Sequence, residues 1–151
     1  MPGSLFSRVR LDRIFRPRYN FGSSIFTNEE FCAMYIADLH IHSRYSRATS
    51  KDCTPEHLDL WARRKGIHLV GSGDFTHPAW REELKEKLRQ DENGLYVLKE
   101  EYRIHEDSAP DHMIPRFVIT GEISSIYKQG GKVRKVHSLI LLPDIQKAEI
   151  I

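Results

Sequence analysis

Cysteine is scarce in this 151-residue chain. Only Cys32 and Cys53 occur, without CxxC spacing, so the sequence offers neither a disulfide framework nor a thiolate metal site. That usage fits a reducing, cytoplasmic setting. No apolar run approaches the roughly 20 residues that a membrane-spanning helix needs. Internal repeats and low-complexity tracts are also missing, which argues against solenoids and arrays. A formal charge of +2 is too small to announce a nucleic-acid protein by itself, and nothing calls for an obligate protein partner. The length allows one domain at most.

The charge is unevenly placed. Residues 1–33 carry five arginines against Asp12, Glu29 and Glu30, while the other 118 residues balance at zero. The first segment shows no sustained helical or strand period. It reads as an organelle leader, a disordered arm, or sequence upstream of a true start at Met34; the abrupt change of pattern at Met34 favours the third. The domain is therefore expected over residues 34–151.

Within it, strand-like and helix-like runs alternate. Tyr35–Leu39 is apolar and β-prone. Thr54-Pro55-Glu56 reads as N-cap, N1 proline and early acid of a helix to Lys65, stopped by Gly66, with Leu58, Trp61 and Ala62 as its buried stripe. Residues 67–71 form a second strand. A helix follows from about Pro78 to Gln90, with Trp80, Leu84 and Leu88 spaced by four. This order predicts βαβ units and a parallel sheet, an α/β fold. Residues 91–115 form a polar excursion with β pieces expected at 95–98 and near 102–104. Arg116–Thr120 is a third strand ending in Gly121-Glu122. Residues 124–128 and 133–142 flank Gln129-Gly130-Gly131-Lys132, a hairpin signal, and Asp144 is placed to cap a final helix.

The chemistry lies where these strands end. In Asp38-Leu39-His40-Ile41-His42, residues i and i+2 of an extended backbone face one side, so two imidazoles can converge on one divalent ion. With 8 histidines in the chain, one His-x-His pair is weak on its own. Its company gives it weight: Asp74 and His77 follow the second strand, Glu122 the third, and His137 lies inside a fourth. Taken singly, each has an ordinary role as cap, turn residue or satisfied strand polar group. Jointly they suit a nitrogen- and oxygen-ligated zinc, manganese or iron site with an open position for water. A carboxylate such as Glu122 suits a bridge between two metals. His57, His68, His105 and His112 occupy no strand end and read as surface or structural.

Asp38-Leu-His40-Ile-His42-Ser43, Gly73-Asp74, Gly121-Glu122 and Val136-His137 resemble the successive motifs of the PHP (polymerase and histidinol phosphatase) superfamily. The longer runs 37–52, 73–78 and 117–142 resemble endonuclease Q within it. The resemblance implies the N-terminal part of a distorted (β/α)7 barrel, incomplete in this chain, because the later family motifs have no counterpart before Ile151. It implies divalent metal ions, zinc foremost and manganese or magnesium otherwise. It also implies a repair nuclease that nicks DNA 5′ of deaminated bases such as uracil and hypoxanthine. PHP proteins commonly place a His directly after the Asp of the second motif; here Phe75-Thr76-His77 follows, so either Asp74 or His77 is the ligand.

On this resemblance His40, His42, Asp74 or His77, Glu122 and His137 hold metal, with Glu122 and Asp74 as catalytic carboxylates and Asp38 orienting an imidazole. Arg44, Arg47, Lys51, Lys128, Lys132, Arg134 and Lys135 would contact phosphates, and Tyr45, Phe75 and Tyr127 are candidates to stack on a base. The competing readings are a phosphomonoesterase acting on a small metabolite and an inactive metal-binding fragment.

Overall fold

A computed structural model describes residues 34–150, so the expectations for residues 1–33 lie outside the described residues. The six strands are β1 (Ala37–Asp38), β2 (Leu69–Gly71), β3 (Leu88–Gln90), β4 (Tyr96–Leu98), β5 (Arg116–Gln129) and β6 (Lys132–Leu142). Helices α1 (Pro55–Lys65) and α2 (Pro78–Lys87) separate the first three. The sheet order is β1-β2-β5-β4-β3, with β6 paired to β5. β1, β2 and β5 run parallel, as alternating strands and helices require, while β3, β4 and β6 add antiparallel pairs. Among the described residues the sheet is open: this is a mixed α/β sheet, and no barrel closes.

Thr54 caps α1 by accepting from the His57 amide, Pro55 opens it, and Gly66 ends it at φ 69°. Its buried face differs from the expected stripe. Leu58 is half-buried and Trp61 is exposed, whereas Asp59, Leu60, Ala62 and Arg63 are buried. The cause is the polar excursion. Arg63 reaches Asp59 at 2.8 Å, the Ile104 carbonyl and Asp111, so residues 104–111 cover that face. Trp61 instead lies beneath the Arg64 guanidinium, 4.7 Å from its ring centroid.

Helix α2 stops three residues earlier than its spacing suggests. Leu88–Gln90 leave the helix to pair with β4, from Leu88↔Leu98 to Gln90↔Tyr96. Trp80, Leu84 and Leu88 are nevertheless all buried. Near 102–104 no strand forms; a 3-10 turn occupies Glu100–Tyr102. Another, Gln146–Glu149, follows Asp144, whose Oδ1 accepts from the Lys147 amide at 2.8 Å.

The third strand does not end at Thr120. β5 runs on through Gly121 and Glu122 and pairs with β6 from Ile119↔Leu142 to Gln129↔Lys132. Gly130 and Gly131, both at positive φ, make the two-residue turn. Beyond Glu122 this pair is an exposed ribbon. The core lies at the other end, where Val70, Phe75, Trp80, Leu84, Phe117 and Ile119 pack together.

Candidate metal centre

Just beyond β1, His40 and His42 both reach toward β5. His40 Nε2 stands 2.6 Å from Glu122 Oε2, and His42 Nε2 stands 3.8 Å from the same oxygen. Two imidazoles therefore converge on one carboxylate oxygen. Metal bonds of about 2.0–2.1 Å at tetrahedral angles put neighbouring donors about 3.3 Å apart, midway between these separations. Nitrogen and oxygen donors within 4.8 Å of one another fit a divalent ion.

His137 meets the other oxygen of Glu122, through Nδ1. The β-register explains the contact: His137 lies opposite Ser124 and Glu122 opposite Leu139, so the two are diagonal neighbours on one ribbon face. The Glu122 side chain is 14% exposed, whereas His40 and His137 are 54% and 56% exposed. The carboxylate is seated and the imidazole side is open to an incoming group.

Asp74 sits on the far side of His42. Gly73 and Asp74 both take left-handed φ, 68° and 43°, which turns the chain back after β2. Asp74 Oδ1 then lies 3.1 Å from His42 Nδ1. Its Oδ2 accepts from the Ser43 amide at 2.6 Å and from the Ser43 and Ser46 hydroxyls at 2.7 and 2.8 Å. With Nδ1 engaged, the remaining ring nitrogen of His42 is the one that faces Glu122. Carboxylates commonly fix metal-binding imidazoles in this way.

The turn that carries Asp74 is laced to β5. Thr120 donates its amide to Ser72 Oγ at 3.0 Å, and the Gly73 amide donates to Thr120 Oγ1 at 3.0 Å. Trp80 Nε1 donates to the carbonyls of Ser72 and Gly73 at 3.2 and 3.0 Å. The segments that carry Asp74 and Glu122 are thus joined by one buried network.

Both carboxyls are favoured as carboxylates. Burial pushes Asp74 up, but hydrogen bonds from Ser43, His42 and Ser46 outweigh it and hold the group below the ordinary range. For Glu122 the His40 hydrogen bond is the largest influence; burial opposes it, and His137 adds to it, leaving this carboxyl lowered too.

The other sequence candidates fall in different places. His77 precedes α2 and stacks on Tyr45, ring centroids 4.5 Å apart, away from the three-donor cluster. Asp38 is exposed on β1 and makes no hydrogen bond to an imidazole among the described residues. It lines a cleft of about 570 Å³ beside His40 and His42, together with Thr49, Leu58 and Lys65. Phe75 is fully buried and cannot stack on a ligand; its ring fills the space a side chain at Gly121 would take. Arg44 pairs with Glu83 at 2.9 Å and lies over Tyr45, while Arg47 and Lys51 are exposed on the same loop. Lys128, Lys132 and Tyr127 are exposed on the ribbon. Ser43 and Ser46, which hold Asp74, were not singled out from sequence. Their only signal is a hydroxyl pair at i and i+3 directly after His42.

Two imidazoles and a carboxylate thus meet on a mixed sheet as a donor cluster that could hold a divalent metal ion. No protein-family model matches the chain. An uncharacterized protein of Methanocaldococcus jannaschii, MJ0043, is 35% identical over 112 residues, which is 74% of this chain and 10% of that protein. The structure is similar to the lesion-specific endonuclease PfuEndoQ from Pyrococcus furiosus, at TM-score 0.53 and 27% identity. It is also similar to endonuclease Q in complex with a 27-mer duplex carrying an abasic lesion at the active site, at TM-score 0.50 and 26% identity. Both matches cover 76% of this chain and 23–24% of the endonuclease chain. The chain thus spans about a tenth of the curated relative and about a quarter of these endonucleases. Among the described residues no helix is long and apolar enough to cross a membrane.

Proposed function

We propose that residues 34–151 are a PHP-type metal-binding region, the N-terminal part of a distorted (β/α)7 barrel, in a cytoplasmic DNA-repair endonuclease of the endonuclease Q kind. The observation that carries this reading is the convergence of His40 and His42 on Glu122. Likeness to a lesion-specific endonuclease supplies the substrate class. His40, His42 and Glu122 would hold the metal, zinc foremost, and His137 lies beside them to join through its contact with Glu122.

When bound, a divalent ion supplies Lewis acidity toward a phosphoryl oxygen and makes water more acidic. The chain's own residues do the rest. Asp74 fixes the ring of His42, the Ser72–Thr120 network fixes Asp74 relative to Glu122, and the exposed imidazole side leaves room for a phosphodiester. Arg47 and Lys51 are free to meet phosphates, while Arg44 is tied to Glu83 and braces the loop.

The test is an end-labelled duplex with one uracil or hypoxanthine, incubated with the chain and zinc or manganese. Nicking 5′ of the altered base, lost on chelation and in His40→Ala, is expected. Turnover of p-nitrophenyl phosphate without any nicking would replace this reading with a phosphomonoesterase.

A further inference from the structure

Between Glu122 and Asp144 the sequence contains no acidic residue, yet it carries Lys128, Lys132, Arg134 and Lys135. This stretch forms the exposed ribbon of β5 and β6. Residues directly opposite in an antiparallel pair share a face, and successive residues alternate. Glu122↔Leu139, Ser124↔His137, Ile126↔Lys135 and Lys128↔Val133 therefore lie on one face. Tyr127↔Arg134 and Gln129↔Lys132 lie on the other. The four cations split two and two, and only one pair continues the face that carries Glu122 and His137.

We propose that this metal-side face of the ribbon, through Lys128 and Lys135, seats the phosphate backbone of duplex DNA flanking the centre, and that the opposite face does not. This rests on the nuclease reading above. At about 3.4 Å per strand residue, the two lysines lie about 20 and 14 Å along the ribbon from Glu122. A duplex rising 3.4 Å per step would meet them roughly six and four nucleotides from the bond held at the metal. The acid-free surface complements a polyanion, and both lysines are exposed. Cations that merely guard an edge strand would act equally from either face. The paired register makes the two faces separable.

The experiment compares K128Q/K135Q with K132Q/R134Q, which remove the same charge. A labelled duplex bearing one uracil is titrated by fluorescence anisotropy at several salt concentrations, with circular dichroism to check folding. The metal-side pair should lower the slope of log affinity against log salt by about 2, which is roughly 60-fold weaker binding at 0.1 M salt. The opposite pair, which the family resemblance alone also counts among the phosphate contacts, should leave both nearly unchanged because it lies on the face away from Glu122. Equal losses from the two pairs, or a loss confined to K132Q/R134Q, would overturn the assignment while lesion nicking by the wild type left the nuclease reading standing. Asymmetric binding without nicking would uphold the ribbon and reject the nuclease. A folded chain that binds no DNA rejects both.

Discussion

Asp74 Oδ1 stands 3.1 Å from His42 Nδ1, so a carboxylate that follows β2 sets which nitrogen of an imidazole that follows β1 is presented to Glu122. The resemblance gives an imidazole-orienting role to Asp38; among the described residues it is Asp74 that hydrogen-bonds the His42 imidazole. Asp74→Asn keeps the shape and removes the charge that Ser43 and Ser46 address. It should weaken metal affinity by about 10- to 100-fold, with His40 and Glu122 still in place. Competition with a chromogenic chelator measures the change. Unaltered affinity would make Asp74 a turn residue only.

Gly71 ends β2 at a crowded point. A Cβ there would strike the Leu39 carbonyl and come within 2.6 Å of Thr120 Oγ1. Backbone cannot yield as a side chain can. Gly71→Ala should destabilise the fold by about 1–3 kcal/mol, read from urea unfolding. Because Leu39 directly precedes His40, metal affinity should fall in the same variant.

Glu56, Lys87 and Glu83 tie α1 to α2, with Lys87 Nζ 2.5 Å from Glu56 and 2.7 Å from Glu83. Burial raises the Glu56 carboxyl, but the Lys87 hydrogen bond, its own amide and Thr54 outweigh that and leave it lowered from 4.5. A depressed carboxyl contributes stability that is full above its unfolded value and is lost as pH falls through its folded value. The stability gap between wild type and Glu56→Gln should thus be constant near neutral pH and shrink below pH 4.5. Denaturant midpoints from pH 3 to pH 8 would check this (about 0.5-unit steps suffice). A gap that widened in acid would contradict it.

What the sequence made legible was local. The i, i+2 spacing of His40 and His42, the Thr54-Pro55 start, the Gly66 stop and the Gly130-Gly131 turn each follow from one or two residues and reappear in the structure. What it hid depends on distant partners. Nothing near Trp61 says that Arg63 will bind the Ile104 carbonyl and draw a polar segment over α1. The early end of α2 is set by β4, which claims Leu88–Gln90. Glu122 was recognisable as a candidate, but as a strand-end residue. It lies inside a long strand because β6 extends the pairing past Gly121. His77 and Asp74 are equivalent by spacing, but in the structure Asp74 bonds His42 while His77 stacks on Tyr45.

The most direct test is the metal content of the folded chain. Protein stripped with chelator, incubated with zinc and desalted should retain at least one ion by elemental analysis. His40→Ala and Glu122→Gln, shown to be folded by circular dichroism, should lose most of it. No retained metal in the folded wild type, or equal retention in both variants, would contradict a centre built from His40, His42 and Glu122.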